Sequence, residues 1–477
     1  MSGDQTPAFS LPDEFRFGVA TAGFQVEGGF NGEGEPANNW VGWEVAGKVE
    51  RSGVALSFWT DYEAHLDRAV AAGCDAYRLS VEWARAEPAP GEIDGGVLDH
   101  YARILDACHR RGLRPIVTLH HFTHPDWLGG EFWLRPDAPE RFAEWVGTAV
   151  PALAGGCRHW VTINEINVYA LQTWMTGMFP PGRRADVAAT VRTLDHMLTA
   201  HVHAYETIKA HQPDAVVATN NYAFSIYELD RLLTDLLLGR AAGVGRYDLR
   251  RWLDDRRMAW HRRTRGVREK PIRRLARSTI PLDQALPRAA AAVYASDHDR
   301  CLDVLQVDWY DPVVSHHLRL PGHRTAGGRQ WEPSRPLWDD PPDPDGLVAY
   351  CRDIAVAGLD VWIVENGLCN RVKDGRSYPR GDGWDRPRYL REHLKAVVAA
   401  LRAGVPVTAY IHWTLADNYE WGSYEPRFGL HGVDRTDGAV RWSDTDSMGA
   451  DAAGAYRRLV DGLRAGDLAV LDAMPRQ

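Results

Sequence analysis

Long apolar runs are missing from this 477-residue chain, and none approaches the roughly 20 residues of a membrane-spanning helix. The opening stretch, Met1-Ser2-Gly3-Asp4-Gln5, has no basic patch followed by an apolar segment, so no secretory signal is expected and the reading is cytoplasmic. Cysteine is sparse. The six cysteines (Cys74, Cys108, Cys157, Cys301, Cys351, Cys369) form no CxxC pair, which predicts reduced thiols in core positions and no disulfide framework. Positive charge is in deficit, with a net charge of -9, and this argues against bulk affinity for nucleic acid or an anionic membrane. No Walker phosphate loop, HExxH helix or serine-centred nucleophile elbow is present. No His/Cys/Asp/Glu cluster at ligand spacing appears either, so neither a metal nor another cofactor is expected.

What remains is ordinary globular usage, 45% hydrophobic and 25% charged. Apolar, β-branched runs alternate with amphipathic stretches. Strands are predicted over residues 17–22, 76–81, 114–121, 159–165, 215–221, 304–310, 360–365 and 406–413. Helical patterns lie between them, such as residues 59–72 before Gly73, 98–111 before Gly112, and 388–402 before Gly404. Strand, helix, strand repeated eight times implies parallel strands with crossover helices, closing as a (β/α)8 TIM barrel. An open doubly wound sheet is the rival. It usually carries a glycine-rich loop after its first strand, and Gly23-Phe24-Gln25-Val26-Glu27-Gly28-Gly29 lacks the GxGxxG spacing. No linker divides the chain, so one domain is expected over 1–477, with its core at about 11–465.

Two segments carry the chemistry. Thr162-Ile163-Asn164-Glu165 and Ile363-Val364-Glu365-Asn366-Gly367 each read as an apolar strand ending on a glutamate beside an asparagine. A single strand-end glutamate is usually a solvated or ion-paired acid. Two in matching contexts point to a paired-carboxylate site of the kind that cleaves glycosidic bonds. Nineteen tryptophans are more than packing requires, and some are expected to stack on sugar faces while many are core.

Seven short motifs in order extend this reading. Residues Phe15 to Gly28 resemble FxxGxATAxxQxEG, and Tyr77 to Trp83 resemble YRFSxxW. Thr118 to Phe122 resemble TLxHW, Thr162 to Ile166 resemble TxNEP, and Val364 to Gly367 resemble TENG. Trp413 to Trp421 resemble WSLxDNxEW, followed by Arg427-Phe428-Gly429. From about Leu11 to Trp442 the chain resembles the family 1 glycoside hydrolases, the β-glucosidase and β-glycosidase group.

The resemblance implies a retaining β-glycosidase with Glu365 as nucleophile and Glu165 as acid/base. It implies Arg78 and Tyr310 as partners of Glu365, and Asn164 as a donor to the sugar 2-hydroxyl. Gln25, His121, Asn164, Glu420 and Trp421 become the glycone-binding positions, with Trp413 as a stacking floor and Phe428 as a wall. His121, lacking companion ligands, reads as a donor to hydroxyls. In 6-phosphoglycosidases serine replaces the acid at Glu420. A carboxylate there opposes a phosphate by roughly 1–4 kcal/mol at about 4 Å, so an unphosphorylated glycone is favoured. Myrosinase-like members carry glutamine at Glu165, so O-glycosides are expected. A transglycosidase shares every one of these residues and stays open. A non-catalytic sugar-binding relative typically loses one glutamate, and this chain keeps both.

The chain departs from the pattern at several points. Asp308, in Gln306-Val307-Asp308-Trp309-Tyr310, stands where the family has asparagine and brings an extra carboxylate near the site. Phe122 replaces tryptophan, Ile166 replaces proline and Val364 replaces threonine, which loosens any preference for glucose over galactose or fucose. Between strands five and six, residues 240–277 form an arginine-rich insertion (Arg250-Arg251, Arg256-Arg257, Arg262-Arg263, Arg273-Arg274). It reads as a solvated helical face, or as a cap over an aglycone site. Nothing in the sequence fixes the natural aglycone or the oligomeric state.

Overall fold

The computed structural model describes residues 9–472, except 225, 264–285, 311–341, 371, 374–375 and 436–438. Parallel strand segments form one sheet: β1 (Arg16–Ala20), β2 (Ala76–Ser80), β3 (Arg114–Thr118), β4 (His159–Val161), β5 (Val216–Ala218), β6 (Asn220–Tyr222), β7 (Leu305–Trp309), β8 (Val361–Asn366) and β9 (Val407–Trp413). Their order is β5-β4-β3-β2-β1-β9-β8-β7-β6. The two ends of that order, β5 and β6, are separated in the chain by Thr219 alone. They are therefore halves of one strand, the first paired to β4 and the second to β7. Thr219 turns its hydroxyl aside to the Ile163 carbonyl at 2.7 Å. Eight barrel strands result, and the ring is closed.

Crossover helices cover the outside because their apolar residues recur at helical spacing. In α1 (Gly95–Arg110), Leu98, Tyr101, Ile104, Leu105 and Cys108 are buried, and Asp94 caps the first turn by accepting from the Val97 N–H. Gly112, at φ 72°, lets the chain leave that helix in the left-handed conformation. Between strands and helices lies the larger core. A smaller one fills the barrel with Ala20, Ala76, Ile116, Val161, Ala409 and Ile411. Small residues are required there: a Cβ on Gly18 would sit 2.5 Å from the Ala76 carbonyl oxygen.

Eight of the nineteen tryptophans are almost fully buried, so packing accounts for much of the excess. All six cysteines are buried and unbonded. No described helix is long and apolar enough to cross a membrane. Strands three and four end earlier than predicted, at Thr118 and Val161. Their residues 119–122 and 162–165 are instead irregular, still tied together by Leu119 N–H to Val161 O and Asn164 N–H to His120 O, at 2.9 and 2.8 Å. The chain must bend here to enter a cavity and the next helix, and a pleated strand cannot make that bend.

In the insertion, helix α2 (Leu249–Arg263) packs beside α3 (Arg231–Leu238). Arg256 pairs with the buried Asp235 at 2.9 Å, and Arg257 with Asp254 at 2.5 Å. Arg257 is thus buried and Arg256 half-buried, Arg250 and Arg251 of the same helix are exposed as on a solvated face, and none of the four lines the cavity. Arg273 and Arg274, and the side chains of Arg262 and Arg263, lie outside the described residues.

Candidate active site

Glu365 ends the apolar strand β8 and is held from two sides. Arg78, in mid-strand on β2, donates from Nη1 to Oε1 at 2.5 Å. Tyr310, just past β7, donates its hydroxyl to Oε2 at 2.7 Å. The motif around Glu365 has a mechanical reason. Asn366 donates to the Trp309 carbonyl at 2.7 Å and accepts from the Tyr410 hydroxyl at 2.6 Å, locking β8 to both neighbours. At Gly367 any Cβ would collide with the Trp413 carbonyl oxygen, 2.0 Å away.

Glu165 reaches the same cavity by different means. It follows β4 by four residues and takes φ 40°, a left-handed conformation that directs the chain into the helix Ile166–Leu171. Phe122 and Trp421, also in the cavity wall, have φ 66° and 47°. Three bulky residues in this disfavoured region at one site are strain that the surrounding packing must hold.

A third acid joins the pair. Oxygens of Glu165, Asp308 and Glu365 lie within 4.8 Å of one another, and all three side chains are buried. Asp308 is opposite Glu365 in the β7–β8 register. A polar chain links them: Arg78 Nη2 donates to Asn164 Oδ1 at 2.5 Å, and Asn220 donates to that same oxygen at 2.8 Å and to Asp308. Burial, with the charges of Asp308 and Glu365, holds Glu165 well above the usual carboxylate range. Burial also raises Asp308 strongly. Glu365 is raised by burial too, but Arg78 and Tyr310 oppose this. Among the described residues these acids are the one cluster tight enough for a cation. Arg78, paired with Glu365, supplies positive charge beside them.

The cavity, about 1150 Å³ with the solvent space at its mouth, places the remaining predicted residues together. Glu420 accepts from Trp413 Nε1 at 3.0 Å and from Gln25 at 3.1 Å. Burial pushes Glu420 up to about 8 against those two bonds. His121 contacts Asn164 through Nε2 at 3.2 Å, and burial keeps its ring neutral. Its Nδ1 and the side-chain Oε1 of Gln25 have no partner among the described residues. Trp413, Trp421 and Phe428 line the wall, and the Trp413–Thr414 peptide is cis. Gln25, Arg78 and Asn164 of the predicted set sit behind the wall, Gln25 reaching the site through Glu420 and Arg78 through Glu365.

Sequence reasoning missed Asn220 and the aromatic mouth formed by Phe179, Tyr222 and Phe224. The Asn220-Asn221 pair at a strand end was the available signal for the first. Nothing periodic marks the second, because Phe179 and Phe224 come from loops and Tyr222 from the end of β6.

Residues 8–236 and 333–448 match the profile of glycosyl hydrolase family 1. The chain belongs to glycosyl hydrolase family 1. It is a glycosidase of the β-glycosidase group. The stretch that the family profile passes over, 237–332, contains the arginine-rich insertion. Curated relatives include beta-glucosidase 22 of Oryza sativa subsp. japonica, 28% identical over 90% of this chain and 84% of its own length. Another is the 6-phospho-beta-galactosidase of Staphylococcus haemolyticus, 25% identical over 89% and 94%. Among solved structures, the beta-glucosidase from Thermotoga maritima in complex with castanospermine has a TM-score of 0.72 at 21% identity, covering 95% of this chain and 99% of that one. That likeness shows the family 1 barrel fold.

Proposed function

We propose that this chain hydrolyses unphosphorylated β-O-glycosides with retention of configuration, with Glu365 as nucleophile and Glu165 as acid/base. β-Glucosides are the first choice of substrate, and β-galactosides or β-fucosides the alternatives. The observation that carries this reading is the closeness of the two carboxyl groups, whose oxygens lie within 4.8 Å. Carboxyls about 5–5.5 Å apart suit a covalent glycosyl-enzyme, whereas inverting enzymes separate theirs by about 6.5–9.5 Å to admit water.

Environment divides the roles. Glu365 touches a guanidinium and a phenol, which favour its anion, and Glu165 touches neither. In the first step Glu365 attacks the anomeric carbon while Glu165 gives its proton to the departing oxygen. In the second step ionised Glu165 takes a proton from water, which attacks the same carbon and frees Glu365. Asn164, oriented by Arg78 and Asn220, is assigned to the 2-hydroxyl, and His121, which lines the cavity, is left for another sugar hydroxyl.

Relatives of similar identity include 6-phosphoglycosidases, so the glycone must be argued from this chain. Among the described residues no lysine lines the cavity, and the lining Arg380 is engaged by Asp382 at 2.7 Å and the Cys369 carbonyl at 3.0 Å. Beside Glu420 a phosphate dianion would be desolvated without a cation. At the mouth, Phe122, Val168, Met178, Phe179, Tyr222 and Phe224 favour an apolar, aromatic aglycone. Transglycosylation to alcohols uses the same groups, and product analysis with added alcohols separates it from hydrolysis.

The test is the stereochemistry of the first product. Proton NMR during hydrolysis of 4-nitrophenyl β-glucoside is expected to show the β-hemiacetal before any α-anomer. The α-anomer appearing first would refute the assignment.

A further inference from the structure

Asp308 is fully buried, faces both glutamates and has no solvent path to hydrate a charge. One of its oxygens, Oδ2, takes the Asn220 amide. Among the described residues no N–H or O–H donor reaches the other, Oδ1, or Glu165 Oε1. Two buried acids whose oxygens lie within 4.8 Å, each with an otherwise unpartnered oxygen, are satisfied by one proton between them. We infer that Asp308 is a positioning residue for Glu165, sharing the acid's proton in the resting enzyme and strengthening ionised Glu165 as the base of the second step.

This rests on the reading of Glu165 as acid/base. The other groups facing the pair are Glu365 on β8, Arg78 on β2, Tyr310 past β7, and neutral His121 past β3. Arg78 lowers both members of the pair and Glu365 raises both, so neither distinguishes Glu165 from Asp308. The asymmetry comes from Asn220, which donates to Asp308 and not to Glu165, and so leaves the proton on Glu165 with Asp308 accepting it. A carboxylate in contact with the acid makes its ionisation costlier, so Glu165 stays protonated to higher pH.

The experiment is the pH dependence of kcat/KM for a phenyl β-glucoside, whose poor leaving group needs the acid. Wild type, Asp308→Asn and Glu165→Gln are compared. In Asp308→Asn the alkaline limb is expected to move down by about one pH unit or more, since an amide of the same shape removes the neighbouring charge and can donate to Glu165. An activated dinitrophenyl glycoside, which needs no acid, is expected to lose little in the first step. A limb that stays in place in folded Asp308→Asn overturns the inference, and Asp308→Ala provides the same readout if the amide variant does not fold. Glu165→Gln separates the two levels: if it keeps the alkaline limb, the acid/base assignment itself fails. If that limb disappears while Asp308→Asn leaves it unmoved, only the role of Asp308 falls.

Discussion

Arg78 holds Glu365 at 2.5 Å from the floor of the barrel, while the nearest charged groups to Glu165 are two other carboxyls. In the proposed function that difference in company suits the two buried glutamates to opposite tasks. It predicts a bell-shaped pH profile in which activity needs Glu365 ionised and Glu165 protonated. Replacing Arg78 with Met removes the charge that opposes the rise of Glu365. The acid limb of kcat/KM is expected to move to higher pH, with the loss greatest below neutrality. An unmoved acid limb would contradict the pairing.

At Glu420 the bonds from Trp413 and Gln25 hold a carboxyl in the cavity wall, where the proposed function puts the glycone. Glu420→Ser is expected to lower kcat/KM for 4-nitrophenyl β-glucoside by about 1.5–3 kcal/mol, the range for losing a hydrogen bond to a charged group. A wild type that prefers 6-phosphoglycosides would reverse the reading of this position.

Phe224 stands at the mouth against Tyr222, with ring centroids 4.7 Å apart. Phe224→Ala is expected to cost about 1–2 kcal/mol in kcat/KM for aryl glycosides, through lost apolar contact. Methyl β-glucoside, too short to reach it, is the control. Equal loss on both substrates would remove Phe224 from the aglycone site.

Beneath the insertion, Asp235 of the helix Arg231–Leu238 is ion-paired with Arg231 and Arg256 at 2.8 and 2.9 Å and is almost fully buried. Breaking such a buried cluster costs about 3–5 kcal/mol, so Asp235→Ala is expected to lower the unfolding free energy by that order. Hydrolysis of a small nitrophenyl glycoside by the folded variant is expected to stay within a few-fold. Denaturant titration and kinetics on the same preparation check both.

The barrel was legible because its strands are apolar and β-branched and its helices are amphipathic and glycine-terminated, as at Gly112 and Gly404. Glu365, on a regular strand, was read correctly as a strand-end residue. Glu165 was placed on a strand that stops at Val161, because a left-handed glutamate leaves no trace in apolar periodicity. Asp308 could be noticed as an extra acid, but its contact with Glu165 depends on the β7–β8 register and on how far residues 162–165 leave the sheet. The aromatic mouth was illegible for the same reason: residues 168–179 and 222–224 converge only in three dimensions.

The most direct measurement is on Glu365→Gly with added azide. Removing the nucleophile while Glu165 remains leaves a space in which a small anion can attack the anomeric carbon from the opposite face. The variant is expected to be folded and nearly inactive alone. With an activated β-glucoside and azide it is expected to recover turnover and give the α-glycosyl azide. Undiminished activity without azide, or a β-glycosyl azide as the sole product, would contradict Glu365 as the nucleophile.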